Sequence, residues 1–362
     1  MNQNFNLEEY LSGGVERLVK DAIKGTFKNP RESMFLAGYA INAAKAAKLR
    51  HVYEQKGEHI PPFLIASITS VCNLQCAGCY ARANNNCSDR EDSGSLSAEE
   101  WGNIFKEARE LGISFILLAG GEPLVRKDII QQAALYKEII FPVFTNGTII
   151  DEEYLELIDR HRNLIPVLSM EGEEKTTDSR RGKGVYQKVT HTMTAMKKRG
   201  ILFGTSITVT KENITEVTEA DFLGKLYQKG CRLIFYVEYV PVSDNTEILA
   251  LEQYDRVFLD DRLNSLRECF QDMIYISFPG DEEAAGGCLA AGRGFFHINA
   301  RGGAEPCPFS PYSDCNVKVV GLRETLKSPL FKKLKDNHAL LTEHTGGCAL
   351  FEQKYFVESL IK

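Results

Sequence analysis

The sequence predicts an α/β fold built on a parallel sheet, with helices before it and a small cysteine-rich module after it. Three observations point there. The first sixty residues carry apolar positions at helical spacing. From Pro61 to about Ser277, short apolar runs alternate with amphipathic stretches, the pattern of βαβ units with right-handed crossovers. After that the alternation stops, and glycine and cysteine become frequent.

Bulk composition bounds the problem. With 362 residues the chain has room for one large domain and an appendage, or for two domains. Its 43% hydrophobic and 25% charged residues suit a globular protein with a sizeable core. A formal net charge of -6 and a pI near 5.8 give no reason to expect nucleic-acid binding. The start, "MNQNFNLEEYLSGGVERLVKD", lacks a basic region followed by an apolar one, so no signal peptide is expected. No apolar run reaches the roughly 18 residues that a transmembrane segment needs. A cytoplasmic location follows as the expectation. There the ten cysteines should be reduced and available to metals.

The elements follow in order. "NLEEYLSGGVERLVKDAIKGTF" and "NPRESMFLAGYAINAAKAAKLRHVYEQKGEH" read as helices, with Pro30 in the first turn of the second and Gly57 at its end. This mildly basic segment, 1–60, is expected to cap the main domain; a membrane-surface or docking role is the alternative. The main domain, 61–270, offers six strands: "FLIASITS", "SFILLAG", "IIFPVFTN", "LIPVLSM", "LFGTSITVT" and "RLIFYVEYV". Helices lie between them, the first opening on a capping box of Ser97 and Glu100. The third module, 271–362, contains "GGCLAAGRGFFHINARGGAEPCPFSPYSDC", a helix-like "LRETLKSPLFKKLKDN" and "HTGGCALFE".

"SITSVCNLQCAGCYARAN" crowds Cys72, Cys76 and Cys79 directly after the first strand. Loops after the strands of a parallel barrel form its active face. The three thiols are too close for useful disulfides, and a structural zinc site wants four closed ligands. The next cysteine, Cys87, sits in a polar asparagine-rich loop. An iron–sulfur cube held by three thiolates instead keeps one iron open to a small molecule. The spacing favours such a cluster over zinc.

"CNLQCAGCY" resembles the CxxxCxxC signature of radical S-adenosylmethionine (SAM) enzymes. The resemblance implies a partial (β/α)6 TIM-like barrel and a [4Fe-4S] cluster coordinated by three cysteines plus SAM. Electron transfer from that cluster cleaves SAM to methionine and a 5′-deoxyadenosyl radical. Many members place an aromatic residue before the third cysteine. Here Gly78 stands in that position, and Tyr80, just after Cys79, becomes the candidate adenine contact.

Further strand ends agree. "LLAGGEPL" is similar to the family's GGEP motif, with Gly120, Gly121, Glu122 and Pro123. Two glycines allow close backbone approach, and a carboxylate can accept hydrogen bonds from an ammonium group. "VFTNGT" resembles the TNG element, which implies Thr145 and Asn146 facing the pocket. "LSMEGEEKTTDSRRGKGVY" resembles the segment after the fourth strand, implying Ser169 at the SAM ribose and Arg181 at its carboxylate. "SITVTKEN" adds Thr208 and Asn213. Each alone reads as a turn or a helix cap. Five in order on consecutive strand ends, across about 61–250, are hard to obtain by chance.

Thirteen residues separate Cys288 from Gly302, and four more separate Gly302 from Cys307. That spacing resembles the opening of the SPASM and twitch extensions of radical SAM enzymes, which hold auxiliary clusters. With Cys348 and, as the natural fourth ligand, Cys315, it implies one auxiliary [4Fe-4S] cluster. Four thiolates would close that cluster; three would leave an iron able to bind substrate. The competing reading is a glycine-rich hairpin with buried free thiols. Cys231 and Cys269 read as core residues and His297 as a structural strand residue. Glu238 and Tyr239 end the sixth strand, where Glu238 is either a proton-transfer group or a satisfied polar residue.

The resemblance implies an enzyme that abstracts hydrogen from a peptide, a protein side chain, a tetrapyrrole or another metabolite. Its partners would be that small-molecule or peptide substrate and an electron donor such as flavodoxin or ferredoxin. A peptide-recognition winged helix needs more than the sixty N-terminal residues, which lowers the peptide reading. The alternative class is a non-catalytic iron–sulfur or zinc-binding regulatory protein. The GGEP element argues against it, because a sensor has no need of a SAM site.

Overall fold

Parallel pairing runs unbroken through seven strands: β1 (Phe63–Thr69), β2 (Phe115–Gly120), β3 (Phe141–Thr145), β4 (Leu164–Met170), β5 (Gly204–Val209), β6 (Leu233–Glu238) and β7 (Ile274–Phe278). This computed structural model describes residues 29–90, 93–243, 245–278, 286–337, 339–340 and 348–361. The helix expected over "NLEEYLSGGVERLVKDAIKGTF" lies outside them. The six expected strands form in sequence order. The seventh, "IYISF", lies just past the boundary expected at 270 and pairs with β6 in register.

The cysteine-rich segment continues the same sheet. β8 (His297–Ile298) pairs parallel with β1, and β9 (Ala304–Glu305) pairs antiparallel with β8. The order is β7-β6-β5-β4-β3-β2-β1-β8-β9, so β7 and β9 are edges and the barrel is partial. No helix among the described residues is long and apolar enough to cross a membrane.

Local chemistry explains the layers. β4 and β6 are buried along nearly their whole length, as strands covered on both faces must be. The helix Ala98–Leu111 starts where Ser97 Oγ accepts from the Glu100 amide at 3.2 Å and Glu100 Oε2 from the Ser97 amide at 2.8 Å. It buries Trp101, Ile104, Phe105 and Ala108, the one-faced spacing of an amphipathic helix. Each such large side chain contributes about 1.5–3 kcal/mol of burial.

The helix Pro30–Glu54 lies across the opposite end of the sheet from the cysteine loop. Its buried Leu36, Tyr39 and Ala43 pack with Ile140, Ile165, Leu202, Leu233 and Ile274, which sit at or just before the starts of β3 to β7. Polar contacts pin it to the incoming loops. Tyr39 Oη donates to the Ser114 carbonyl at 2.9 Å, and Arg50 Nη1 to the Gly112 carbonyl at 2.6 Å. Glu32 Oε1 accepts from Arg162 Nη1 at 2.6 Å and from the Leu202 amide at 3.1 Å. The bottom of the barrel is thereby covered.

A buried polar chain ties the C-terminal module to β1. Ser67 Oγ and His297 Nε2 are 2.7 Å apart, and His297 Nδ1 and Glu305 Oε2 are also 2.7 Å apart. Asn299 Nδ2 donates to Glu305 Oε1 at 2.6 Å. Pairing of Ile65 with His297 and of His297 with Glu305 puts these groups on one face of three neighbouring strands. His297 is thus the strand residue it was expected to be. Cys231 is buried as expected, but Cys269 is exposed, contrary to the core reading. It is the last residue of the helix Gln253–Cys269, and the next residue, Phe270, packs on the core in its place.

Candidate active site

Two glycines set the site's back wall. Gly121 donates its amide to the Thr69 carbonyl at 2.8 Å, and Glu122 to the Val71 carbonyl at 2.7 Å. The root of the cysteine loop therefore runs directly against the end of β2. A Cβ on Gly121 would lie 2.1 Å from Val71 O, and one on Gly120 2.3 Å from Thr69 O. No larger residue fits without moving the backbone.

The Glu122 side chain is buried and well supplied with donors. Its Oε1 accepts from Thr145 Oγ1 at 2.7 Å and from the Leu124 amide at 3.1 Å, and its Oε2 from the Asn146 amide at 2.7 Å. Burial nevertheless pushes its carboxyl up to about 7. Thr145 faces this carboxylate, not the cavity. Asn146 borders the cavity, and its side chain reaches Asn73 Oδ1 at 2.8 Å, tying the third loop to the cysteine loop.

The loop carrying Cys72, Cys76 and Cys79 is clamped on two sides. Arg82 Nη2 donates to the Leu74 carbonyl at 2.8 Å. Arg180 Nε donates to the Ala77 carbonyl at 3.1 Å, while the Ala77 amide returns a bond to the Arg180 carbonyl at 2.9 Å. All three thiols are half-buried. Cys87 is buried against Cys72, and its thiol hydrogen bond draws Cys72 down to about 6. Nothing in the asparagine-rich loop around Cys87 announces that contact.

Glu171 organises the wall opposite Glu122. Its Oε1 accepts from Arg180 Nη1 at 2.6 Å and from Arg181 Nε at 2.8 Å, and its Oε2 from the Thr208 amide at 3.1 Å. Asn213 Nδ2 bridges the carbonyls of Glu171 and Thr208, each at 2.9 Å, and so works behind this wall. Sequence pattern alone points to Arg181 and Thr208 but not to Glu171 and Arg180. The available signal was an acidic residue directly after the fourth strand, followed by an Arg-Arg doublet.

Two tyrosines flank the third cysteine. The Tyr80 ring packs on Phe309 of the C-terminal module, centroids 4.9 Å apart. Tyr239, 3% exposed, turns toward the cysteine loop, and its buried hydroxyl has no hydrogen-bond partner among the described residues. A Cβ on Gly78 would lie 2.7 Å from that hydroxyl. The neighbouring Glu238 is buried and paired with Arg256 Nε at 2.8 Å.

Both cysteine groups border one cavity of about 710 Å³. Cys72, Cys76 and Cys79 line it from the barrel, and Cys288, Cys307 and Cys348 from the C-terminal module. Tyr80, Gly120, Gly121, Glu122, Asn146, Ser169, Arg181, Thr208 and Glu238 line it as well. The Cys307 and Cys348 thiols are hydrogen-bonded to one another, which with burial pushes Cys307 well up. Cys315 is the exception. Its thiol meets Asp314 and Thr325 instead, while its carbonyl accepts from the Ala304 amide at 3.1 Å. Cys315 does not border the cavity that the other three line.

The donor set suits iron–sulfur chemistry: two trios of soft thiolates border one cavity, beside a close-packed glycine cradle. Comparisons with known proteins agree. The Radical SAM superfamily model matches residues 66–223. The AdoMet-dependent heme synthase of Methanosarcina barkeri is 25% identical over 81% of this chain and 89% of its own length. The Fe-coproporphyrin III synthase of the same organism is 31% identical, over 48% of this chain but only 43% of its own length. Streptococcus suis SuiB bound to S-adenosylmethionine shares the fold, with a TM-score of 0.67, 17% identity and coverage of 84% of this chain and 77% of that one.

Proposed function

The chain is an enzyme of the radical SAM superfamily, and we propose that it abstracts hydrogen from a tetrapyrrole held between two cysteine-ligated clusters. One observation carries this reading: both cysteine trios open on the same cavity.

Cys72, Cys76 and Cys79 would hold the [4Fe-4S] cluster that members of this superfamily use together with SAM. When bound and reduced, the cluster would supply the one electron that cleaves SAM to methionine and a 5′-deoxyadenosyl radical. The protein's own part is placement and exclusion of water. Glu122 has acceptor capacity left for the SAM ammonium after its three bonds to the chain. Ser169 suits the ribose, and Arg181, held by Glu171, the carboxylate. Gly120 and Gly121 keep β2 tight against the cysteine loop. Cys288, Cys307 and Cys348 would hold one auxiliary [4Fe-4S] cluster, leaving one of its irons without a protein thiolate. With Glu238 already paired to Arg256, we assign it to the charge balance of the cavity wall in preference to proton transfer.

The substrate class rests on two supports. The likeness to a heme synthase extends over 89% of that protein's length. The cavity walls are rich in aromatic side chains, among them Phe63, Phe115, Phe144 and Phe235, with Arg267 at the border. Flat apolar surface and a cation suit a macrocycle bearing carboxylates better than an extended peptide. A reductant of the flavodoxin or ferredoxin kind would supply electrons.

Anaerobically reconstituted protein with dithionite and SAM should release 5′-deoxyadenosine, and the Cys72→Ala, Cys76→Ala, Cys79→Ala variant should not. Equal release by both would remove the first cluster from these residues. Metal-free coproporphyrin III should bind with quenching of its fluorescence. Failure of that titration, with tight binding of a peptide instead, would overturn the tetrapyrrole class alone.

A further inference from the structure

We propose that Tyr239 is a SAM-binding residue, its ring filling the space left open at Gly78 and its hydroxyl donating to the adenosine half of the bound cofactor. This rests on the reading that SAM sits at the Cys72, Cys76 and Cys79 loop.

Three observations converge on this side chain. Tyr239 is 3% exposed, yet its hydroxyl finds no partner among the described residues. A buried donor without an acceptor is costly, so a tyrosine kept in that position implies an acceptor supplied by something the cavity binds. Phenylalanine would fill the same volume without the polar atom. Next, the hydroxyl is aimed at the cysteine loop. Tyr239 borders the cavity, and a Cβ on Gly78, between Cys76 and Cys79, would lie 2.7 Å from its Oη and 2.9 Å from its Cε2. Finally, position 78 cannot supply an aromatic of its own. Gly78 has φ +64, a left-handed conformation that an L side chain adopts only with strain. The tyrosine arrives from the end of β6, where its amide donates to the Val209 carbonyl at 2.9 Å.

Tyr80 does not compete for this role. Its ring is committed to Phe309 on the C-terminal module. Arg181, on the other side of the loop, already offers a cation for the amino-acid end of SAM. A planar ring bearing a donor is the complement of a nucleobase, which presents a flat face and ring-nitrogen acceptors.

The test uses reconstituted full-length protein and calorimetric titration with SAM, 5′-deoxyadenosine and methionine. Tyr239→Phe should bind SAM about tenfold more weakly, the factor expected for one lost hydrogen bond. It should show a similar loss for 5′-deoxyadenosine, an unchanged affinity for methionine and unchanged iron content. Tyr80→Phe should bind SAM as wild type does. If Tyr239→Phe matches wild type for SAM, the inference is wrong while the SAM site stands. A loss confined to methionine overturns the adenosine assignment. If reconstituted wild type binds no SAM, the functional reading falls and this inference with it.

Discussion

Arg180 Nη1 and Arg181 Nη2 converge on the same oxygen, Oε1 of Glu171, at 2.6 and 2.5 Å. One buried carboxylate therefore holds both guanidinium groups in place, and Arg180 passes that order on to the backbone of the cysteine loop at Ala77. Removing it leaves two cations at the cavity wall with no carboxylate partner among the described residues. Glu171→Ala should destabilise the fold by about 3–5 kcal/mol in urea unfolding, as expected for breaking a buried pair from one side. A loss below about 1 kcal/mol, the value of an exposed ion pair, would show that the clamp does not depend on this residue.

Glu122 should give the apoprotein a pH signature. Its carboxyl stands at about 7 in the folded chain against an ordinary 4.5. The folded state therefore retains a proton that the unfolded state releases. Its stabilising contribution is full below about 4.5 and is lost as pH rises through about 7. At about 1.4 kcal/mol per unit over the interval from 4.5 to about 7, the change is about 3–4 kcal/mol. Glu122→Gln should flatten urea stability across that window; an unchanged slope would assign the effect to other groups.

Cysteine counting predicts two clusters. Fully reconstituted wild type should contain about eight irons per chain, from two four-iron cubes. Loss of Cys72, Cys76 and Cys79 together should leave about four, and Cys288→Ala, Cys307→Ala, Cys348→Ala should leave the other four. Cys315→Ala should retain the full count, because its side chain faces Asp314 and Thr325. A fall to four with Cys315→Ala would show that Cys315 swings in as a ligand when iron binds.

His297 should matter to stability without being needed to assemble the first cluster. His297→Ala leaves Glu305 buried without its imidazole partner and opens a cavity between β1 and β8. A loss of about 2–4 kcal/mol is expected, seen as a lower thermal midpoint, with binding of the first cluster preserved. Wild-type stability in this variant would mean that the Ser67–His297–Glu305 chain does not hold the module to the barrel.

Much of this architecture was legible from short stretches of sequence. Six strands could be read because apolar runs bounded by turn residues are a local signal, and the Ser97–Glu100 capping box needs only four adjacent positions. The spacing of Cys72, Cys76 and Cys79 proclaims a cluster loop for the same reason: chain reach over a few residues is set by covalent geometry. β7 escaped notice because "IYISF" is short and lies where the glycine-rich composition begins to dominate.

What the sequence by itself determined was the class of fold and the order of the cysteine-bearing and glycine-rich loops, since periodicity and spacing act over neighbouring residues. Tertiary structure alone decided which side chains meet. Ser67 reaches His297 across 230 positions and Arg180 reaches Ala77 across 103; neither pairing leaves a trace in local pattern. The same holds for Tyr239 over Gly78, for Cys87 against Cys72, and for Cys315 against Asp314 and Thr325. Such contacts depend on sheet register and on the packing of whole elements, where a shift of one residue sends every side chain to the opposite face.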